Sequence, residues 1–150
     1  MTQSKHVTTI LSGTIESVKE VIPFDISLDT PAIFTQPFTL QSFGVLIGMT
    51  GDVRGRLIIV GDELMFSSIG EGMFGMVIEG EMLESFAGEL GNMIAGTLST
   101  SISQKGMEMD ITPPTVLVGQ TKIYGFEKAF RLTTSIHNAG HINIILMIEQ

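Results

Sequence analysis

An α+β fold with a largely antiparallel sheet is what this sequence predicts, on three observations. Apolar residues recur at helical spacing in two long stretches, 5–22 and 81–103. Runs rich in β-branched residues, at 42–50, 54–60, 111–118, 130–137 and 142–148, lie between and after them. The joints within these runs are short, Gly51-Asp52 in the first pair and Asn138-Ala139-Gly140 in the last, so neighbouring strands run antiparallel. Helices and strands ordered in this way pack as helices on a sheet, an α+β sandwich.

The elements follow in order. Val7, Ile10, Leu11, Ile15, Val18 and Ile22 mark the first helix, and Pro23 ends it because proline disfavours helix at the residue before it. Residues 23–40 contain Pro23, Pro31 and Pro37 and read as irregular, with a short strand near 32–35. Residues 42–50 and 54–60 form a compact hairpin, in which Arg54 and Arg56 read as the solubility charges of an edge strand. Asp62 is placed to cap a second helix over 63–74. The end of that stretch, Gly70-Glu71-Gly72-Met73-Phe74-Gly75, matches a dinucleotide fingerprint in letters only. No strand precedes it and Glu71 has the wrong sign for a pyrophosphate, so it reads as a helix end and turn.

The third helix, 81–103 with Gly106 as its stop, is the most informative element. A projection at 100° per residue puts Met82, Leu83, Phe86, Leu90, Met93, Ile94 and Thr97 on the core face. Ser85, Glu89, Asn92 and Gly96 form a stripe on the flank. Gly88, Gly91 and Ala95 fall on the side away from the core and predict a smooth outer surface beside that stripe. The last three strands close the sheet, and the apolar C-terminal strand reads as an edge that invites pairing. The two outer units also look like copies. Ser12, Glu16 and Lys19 follow S-x-x-x-E-x-x-K, while Ser85, Glu89 and Asn92 follow S-x-x-x-E-x-x-N. Each helix leads through proline into three extended segments. The expectation is one domain, 1–150, of two pseudo-repeats at about 1–60 and 80–150.

Composition narrows the function. With 150 residues, 43% hydrophobic and 16% charged, the chain is a globular domain able to bury its own core. The absence of cysteine excludes disulfides, thiol catalysis and thiolate-bound metals. The first residues, MTQSKHVTTILSG, lack the apolar block of a secretory signal, and the apolar stretch at 142–148 is too short to span a bilayer, so a cytoplasmic location is expected. A net charge of −8 opposes nucleic acid and anionic membranes and suits a partner with exposed lysines. His137 and His141 flank the last turn and are placed to face each other across its two strands, without an evident third metal ligand, so no metal is expected. The ten methionines read as core fillers, with Met73, Met76 and Met82 the ones whose exposure tests that reading. Glu79, Glu81 and Glu84 read as a solvated helix start favoured by the dipole, or as a docking patch for lysines.

Glu89 and Asn92, three residues apart and with Ser85 one turn earlier, point the same way from the third helix. Spacing alone leaves open whether they are ordinary surface positions on a glycine-packed helix or a site. SFAGELGNMIAG followed by ITPPTVLVG resembles the CheX members of the CheC/CheX/FliY family of bacterial chemotaxis phosphatases. The family pattern of Asp or Ser, then Glu, then Asn, then a more distant proline falls here on Ser85, Glu89, Asn92 and the pair Pro113–Pro114. The proline spacing is slightly shorter than the usual form. The resemblance implies a CheC-like two-layer sandwich, a homodimer, and hydrolysis of the aspartyl phosphate of a CheY-like response regulator.

It further implies catalytic roles for Glu89 and Asn92, supporting roles for Ser85, Gly88, Gly96, Pro113 and Pro114, no cofactor of the chain's own, and a Mg²⁺ ion carried by the regulator. A neutral amide suits the positioning of a water beside phosphate, since it does not repel phosphoryl oxygens and can hold water. A carboxylate there is better used on a regulator lysine. Lys19 stands in the first helix where that pattern has asparagine, so Ser12, Glu16 and Lys19 are not expected to form a working site. The rival reading is a non-catalytic module of the same fold that binds a regulator or a flagellar switch. A small-molecule sensor, which a deep apolar pocket would indicate, is a third.

Overall fold

The computed structural model describes residues 2–149 apart from 36, 41, 127 and 138, with the backbone alone for 2–5. Among the described residues the chain runs α1 (Thr2–Val21), β1 (Ile26–Leu28), β2 (Ala32–Phe34), β3 (Phe38–Leu40), β4 (Phe43–Gly51) and β5 (Gly55–Gly61). It continues with α2 (Glu63–Phe74), α3 (Glu81–Gln104), β6 (Met109–Ile111), β7 (Thr115–Val118), β8 (Thr121–Ile123), β9 (Ala129–Ile136) and β10 (Gly140–Ile148). The α+β class, the three helices and the antiparallel sheet are those the sequence predicts. Asn138, in the predicted last turn, lies outside the described residues.

The sheet order is β1-β9-β10-β5-β4-β6, with β2 also beside β9 and β7 also beside β4, while β3 and β8 pair as a separate ribbon. Alternation along the long strands sends Val45, Ile47, Leu57, Ile59, Leu132, Ile144 and Leu146 to the face that receives the helices. Ile58, Ala129, Ile145 and Met147 point the opposite way and are covered by Phe38, Leu40 and Ile123 of the β3–β8 ribbon. The helices α1 and α3 therefore form one layer over the sheet, and the ribbon closes its other side. Ser17 Oγ in α1 donates to the Ile94 carbonyl of α3 at 2.6 Å, which ties the two helices together.

Asp62 caps α2 as expected, its Oδ1 accepting from Met65 N–H at 2.7 Å, and Gly75 ends that helix with φ +72°. The glycines of the G-x-G-x-x-G stretch belong to α2 and its cap. A Cβ at Gly72 would sit 1.8 Å from Phe24 Cζ, so the glycine makes room for that ring.

Four expectations need correction. The C-terminal strand β10 is central, between β9 and β5, so it is no free edge. The strand bearing Arg56 is central as well, and the Arg56 Nη2 donates to the Tyr124 carbonyl at 2.8 Å. The strand expected over 111–118 is two strands, broken at 112–114. His137 and His141 do not face each other: His141 is opposite Ser135, whose Oγ is 2.9 Å from its Nδ1, and His137 donates its backbone N–H to the Asp25 carbonyl. Among the described residues there is no cluster fit to hold a metal.

Each half carries five strands behind its long helix, where three were expected, because several strands are only three residues long. The pairing scheme maps onto itself when α1 and β1–β5 exchange with α3 and β6–β10: β1 and β2 flank β9 just as β6 and β7 flank β4, and β5 meets β10 at the centre. The helix α2 joins the two sets. Among the described residues, no helix is long and apolar enough to cross a membrane.

Candidate functional site

The site is built where α3 meets the break between β6 and β7. Both short strands pair with β4, Met109–Ile111 against Met49–Gly51 and Thr115–Val118 against Phe43–Leu46. Between these registers, Thr112, Pro113 and Pro114 oppose only Ile47 and Gly48. The extra residue is a bulge, and it is where two prolines, lacking N–H groups for a ladder, can be placed. Thr112 pins it. Its N–H donates to the Gly48 carbonyl at 2.9 Å, and its Oγ1 accepts from Gly48 N–H at 2.8 Å. A Cβ on Gly48 would come within 3.0 Å of that side chain, so the strand needs glycine for the clasp to close.

The helix comes up to this bulge on its small residues. Gly88, Gly91 and Ala95 are buried against the sheet, which reverses the expected outward-facing smooth side. A Cβ on Gly88 would lie 3.7 Å from Pro114 Cγ and Val116 Cγ2, and one on Gly91 would lie 2.9 Å from Val45 Cγ1. Glycine carries no hydropathy, so a projection weighted by apolar side chains turned the helix too far. By the same error Met82, placed on the core face, is 51% exposed, while Met93 and Thr97 are half-buried.

Ser85, Glu89 and Asn92 are all exposed, as the flank position predicts. They line an open groove whose opposite wall is Ile111, Thr112, Pro113, Pro114 and Val116, with Gly88 at its floor and Glu84 at its upper end. Among the described residues no hydrogen bond engages the side chains of Ser85, Glu89 or Asn92. A carboxylate and a carboxamide are thus presented side by side, unengaged, beside a rigid proline wall. Such a surface can take a cationic group and a hydrogen-bonded water from one incoming partner.

Of the residues read from the sequence, Ser85, Gly88, Glu89, Asn92, Pro113 and Pro114 come together here. Gly96 does not: it lies one turn beyond Asn92, outside the groove, with nothing within 4 Å of a Cβ built on it. Thr112 was missed. The signal available for it was a hydrogen-bonding residue directly before two prolines. Ser12, Glu16 and Lys19, not expected to form a working site, are not the counterparts of Ser85, Glu89 and Asn92 in the fold. Val21, Ile26 and Ala32 precede Gln104, Met109 and Thr115 by 83 residues each, and at that offset His6 and Thr9 are the counterparts of Glu89 and Asn92. Ser12, Glu16 and Lys19 are exposed but lie nearly three turns further along, with Glu16 accepting from Ser101 Oγ at 3.4 Å.

Known proteins resemble this chain in sequence and fold. CheY-P phosphatase CheX of Thermotoga maritima is 29% identical over 150 residues, spanning 97% of each chain. A chain of the CheX–CheY–BeF3–Mg²⁺ complex from Borrelia burgdorferi shares the fold at a TM-score of 0.79 and 22% identity, covering 96% of this chain and 97% of that one. Chemotaxis protein CheX from Vibrio vulnificus does so at 0.79 and 23%, covering 97% and 99%. The family model for the chemotaxis phosphatase CheX matches residues 43–127, which takes in α3, the clasped bulge and every residue lining the groove. That match spans more than half of the chain, and the protein belongs to the chemotaxis phosphatase CheX family.

Proposed function

We propose that this protein hydrolyses the aspartyl phosphate of a CheY-like receiver domain, with Asn92 positioning the attacking water and Glu89 binding a lysine of the receiver. The observation that carries the reading is the joint exposure of Glu89 and Asn92 on one face of α3, at the rim of a groove walled by Pro113 and Pro114. An acyl phosphate already has a good leaving group, so little covalent chemistry is required. Holding a water in line with phosphorus and neutralising charge carry most of the rate. The Asn92 amide can accept from or donate to that water without adding negative charge beside the phosphoryl oxygens. Glu89 fixes the docked geometry through a charge-assisted contact, and Ser85 supports it one turn away. The Mg²⁺ ion belongs to the receiver, and this chain supplies no cofactor.

The test is decay of phosphorylated receivers from the same genome. Asn92→Ala is expected to lower kcat about 100-fold, the scale of a lost positioning contact, while leaving much of the binding intact. Glu89→Ala is expected to weaken both binding and turnover. Equal decay with and without the wild-type protein across those receivers would establish the non-catalytic module instead.

The same reading takes the chain as one domain of two pseudo-repeats, about 1–60 and 80–150, supported by the exchange symmetry of the strand pairing. It includes a homodimer, supported by family resemblance and by the sheet ends at β1–β2 and β6–β7. Sedimentation equilibrium tests that state.

A further inference from the structure

We infer that Phe74, Met76, Val77 and Met82 form an apolar docking patch, ringed by carboxylates, that seats a cationic receiver domain beside the groove. The inference rests on the proposed phosphatase reading and says where the partner's binding energy comes from. Eight large apolar side chains are exposed among the described residues, and four of them fall between residues 74 and 82 at 51–58% exposure. The segment is held so that they stay outside. Gly75 closes α2 by donating to the Glu71 carbonyl, Ile78 is buried, and Ser67 Oγ donates to the Ile78 carbonyl at 2.7 Å. Phe74 packs edge-on against Phe86 of α3 with ring centres 5.8 Å apart. Between those anchors Met76 and Val77 are left more than half exposed.

The patch runs directly into the groove. Met82, Ser85, Glu89 and Asn92 are all exposed on α3 at steps of three, four and three residues, which is one line down one helix face. Exposed large apolar side chains clustered in this way are characteristic of an interaction site.

Charge and area choose the occupant. From Glu63 to Gln104 there are six glutamates and no Lys, Arg or His, and Glu79, Glu81 and Glu84 are exposed around the patch. A second copy docking face to face through a twofold axis would set these carboxylates against themselves. The four apolar side chains offer on the order of 400 Å², about half of the ~800 Å² per partner that a stable complex buries. The patch is too small to hold a dimer and large enough, with the groove, for a transient partner that brings lysines.

The test is the Met76→Ser/Val77→Ser double variant. Both positions lie on a surface loop between Gly75 and Gly80, away from the core and from Glu89 and Asn92. Receivers from the same genome, phosphorylated with acetyl phosphate, serve as substrate, and their beryllofluoride-activated forms serve as binding probes. The expected result is a KM, and a Kd for the activated receiver, raised about fivefold or more, with kcat within about twofold of wild type. KM and Kd unchanged would overturn the patch while leaving the phosphatase reading intact. Absent turnover by the wild-type protein would sink the reading beneath it, and the Kd comparison would still decide the patch. Loss of a wild-type dimer in the double variant would assign the surface to a second copy and overturn the inference.

Discussion

Gly91→Ala asks how closely α3 lies on the sheet, and Gly96→Ala is its control. Both positions are helical, and both gain about 1 kcal/mol in helix propensity when glycine becomes alanine. They differ in what the new methyl meets. At Gly91 it would lie 2.9 and 3.1 Å from the two Cγ atoms of Val45 and 3.1 Å from Ile47 Cδ1. Ordinary carbon contacts are about 3.5–4.0 Å, so the helix or the strand must give by roughly half an ångström. Overpacking of that kind costs about 1–3 kcal/mol. At Gly96 there is nothing within 4 Å. Gly96→Ala is therefore expected to stabilise by about 1 kcal/mol, and Gly91→Ala to be neutral or to destabilise by up to about 2 kcal/mol.

Because propensity is common to both, the difference between them, about 1–3 kcal/mol, isolates the helix–sheet contact. Urea unfolding of the two variants with a shared m-value measures it. Lifting α3 also moves Glu89 and Asn92 relative to the proline wall, so Gly91→Ala is expected to lose phosphatase turnover while Gly96→Ala keeps it. Equal stabilisation by the two substitutions would refute the close approach and, with it, the described shape of the groove.

Two further outcomes follow from single contacts. Asp62→Ala removes the cap that accepts from Met65 N–H and is expected to cost about 1 kcal/mol, read as a Tm lower by about 2–4 °C. Thr134 is fully buried, and its hydroxyl has no hydrogen-bond partner among the described residues. Thr134→Val keeps the shape and removes that stranded polar atom, so it is expected to stabilise by about 1 kcal/mol on the same thermal assay.

What the sequence made legible were features with a period or a local chemical signature. Asp62 announces α2, the apolar spacing of α1 and α3 locates both long helices, and Glu89 with Asn92 is readable as an exposed pair. The short strands were mostly not legible. Three residues such as Ile26–Leu28 or Thr121–Ile123 carry no periodicity, and they are strands because β9 and β3 offer them partners. The central place of β10 was hidden for a related reason, since an apolar strand looks alike whether its flanks are bare or covered. The rotation of α3 was misjudged because Gly88, Gly91 and Ala95 contribute closeness rather than hydropathy. Thr112 reaches the groove through a clasp to Gly48, sixty-four residues away in sequence, which no local reading detects.

The exchange of strands between the two halves bears on why a chain whose candidate groove lies along α3 keeps α1 at all. Neither half owns an intact sheet: deleting the first 61 residues would take β1 and β2 from β9 and β5 from β10, and would unseat the clasp by removing β4. The half without the groove is thus a structural donor that cannot be shed. The helix that carries His6 and Thr9, the counterparts of Glu89 and Asn92, is kept because the strands behind it complete their neighbour.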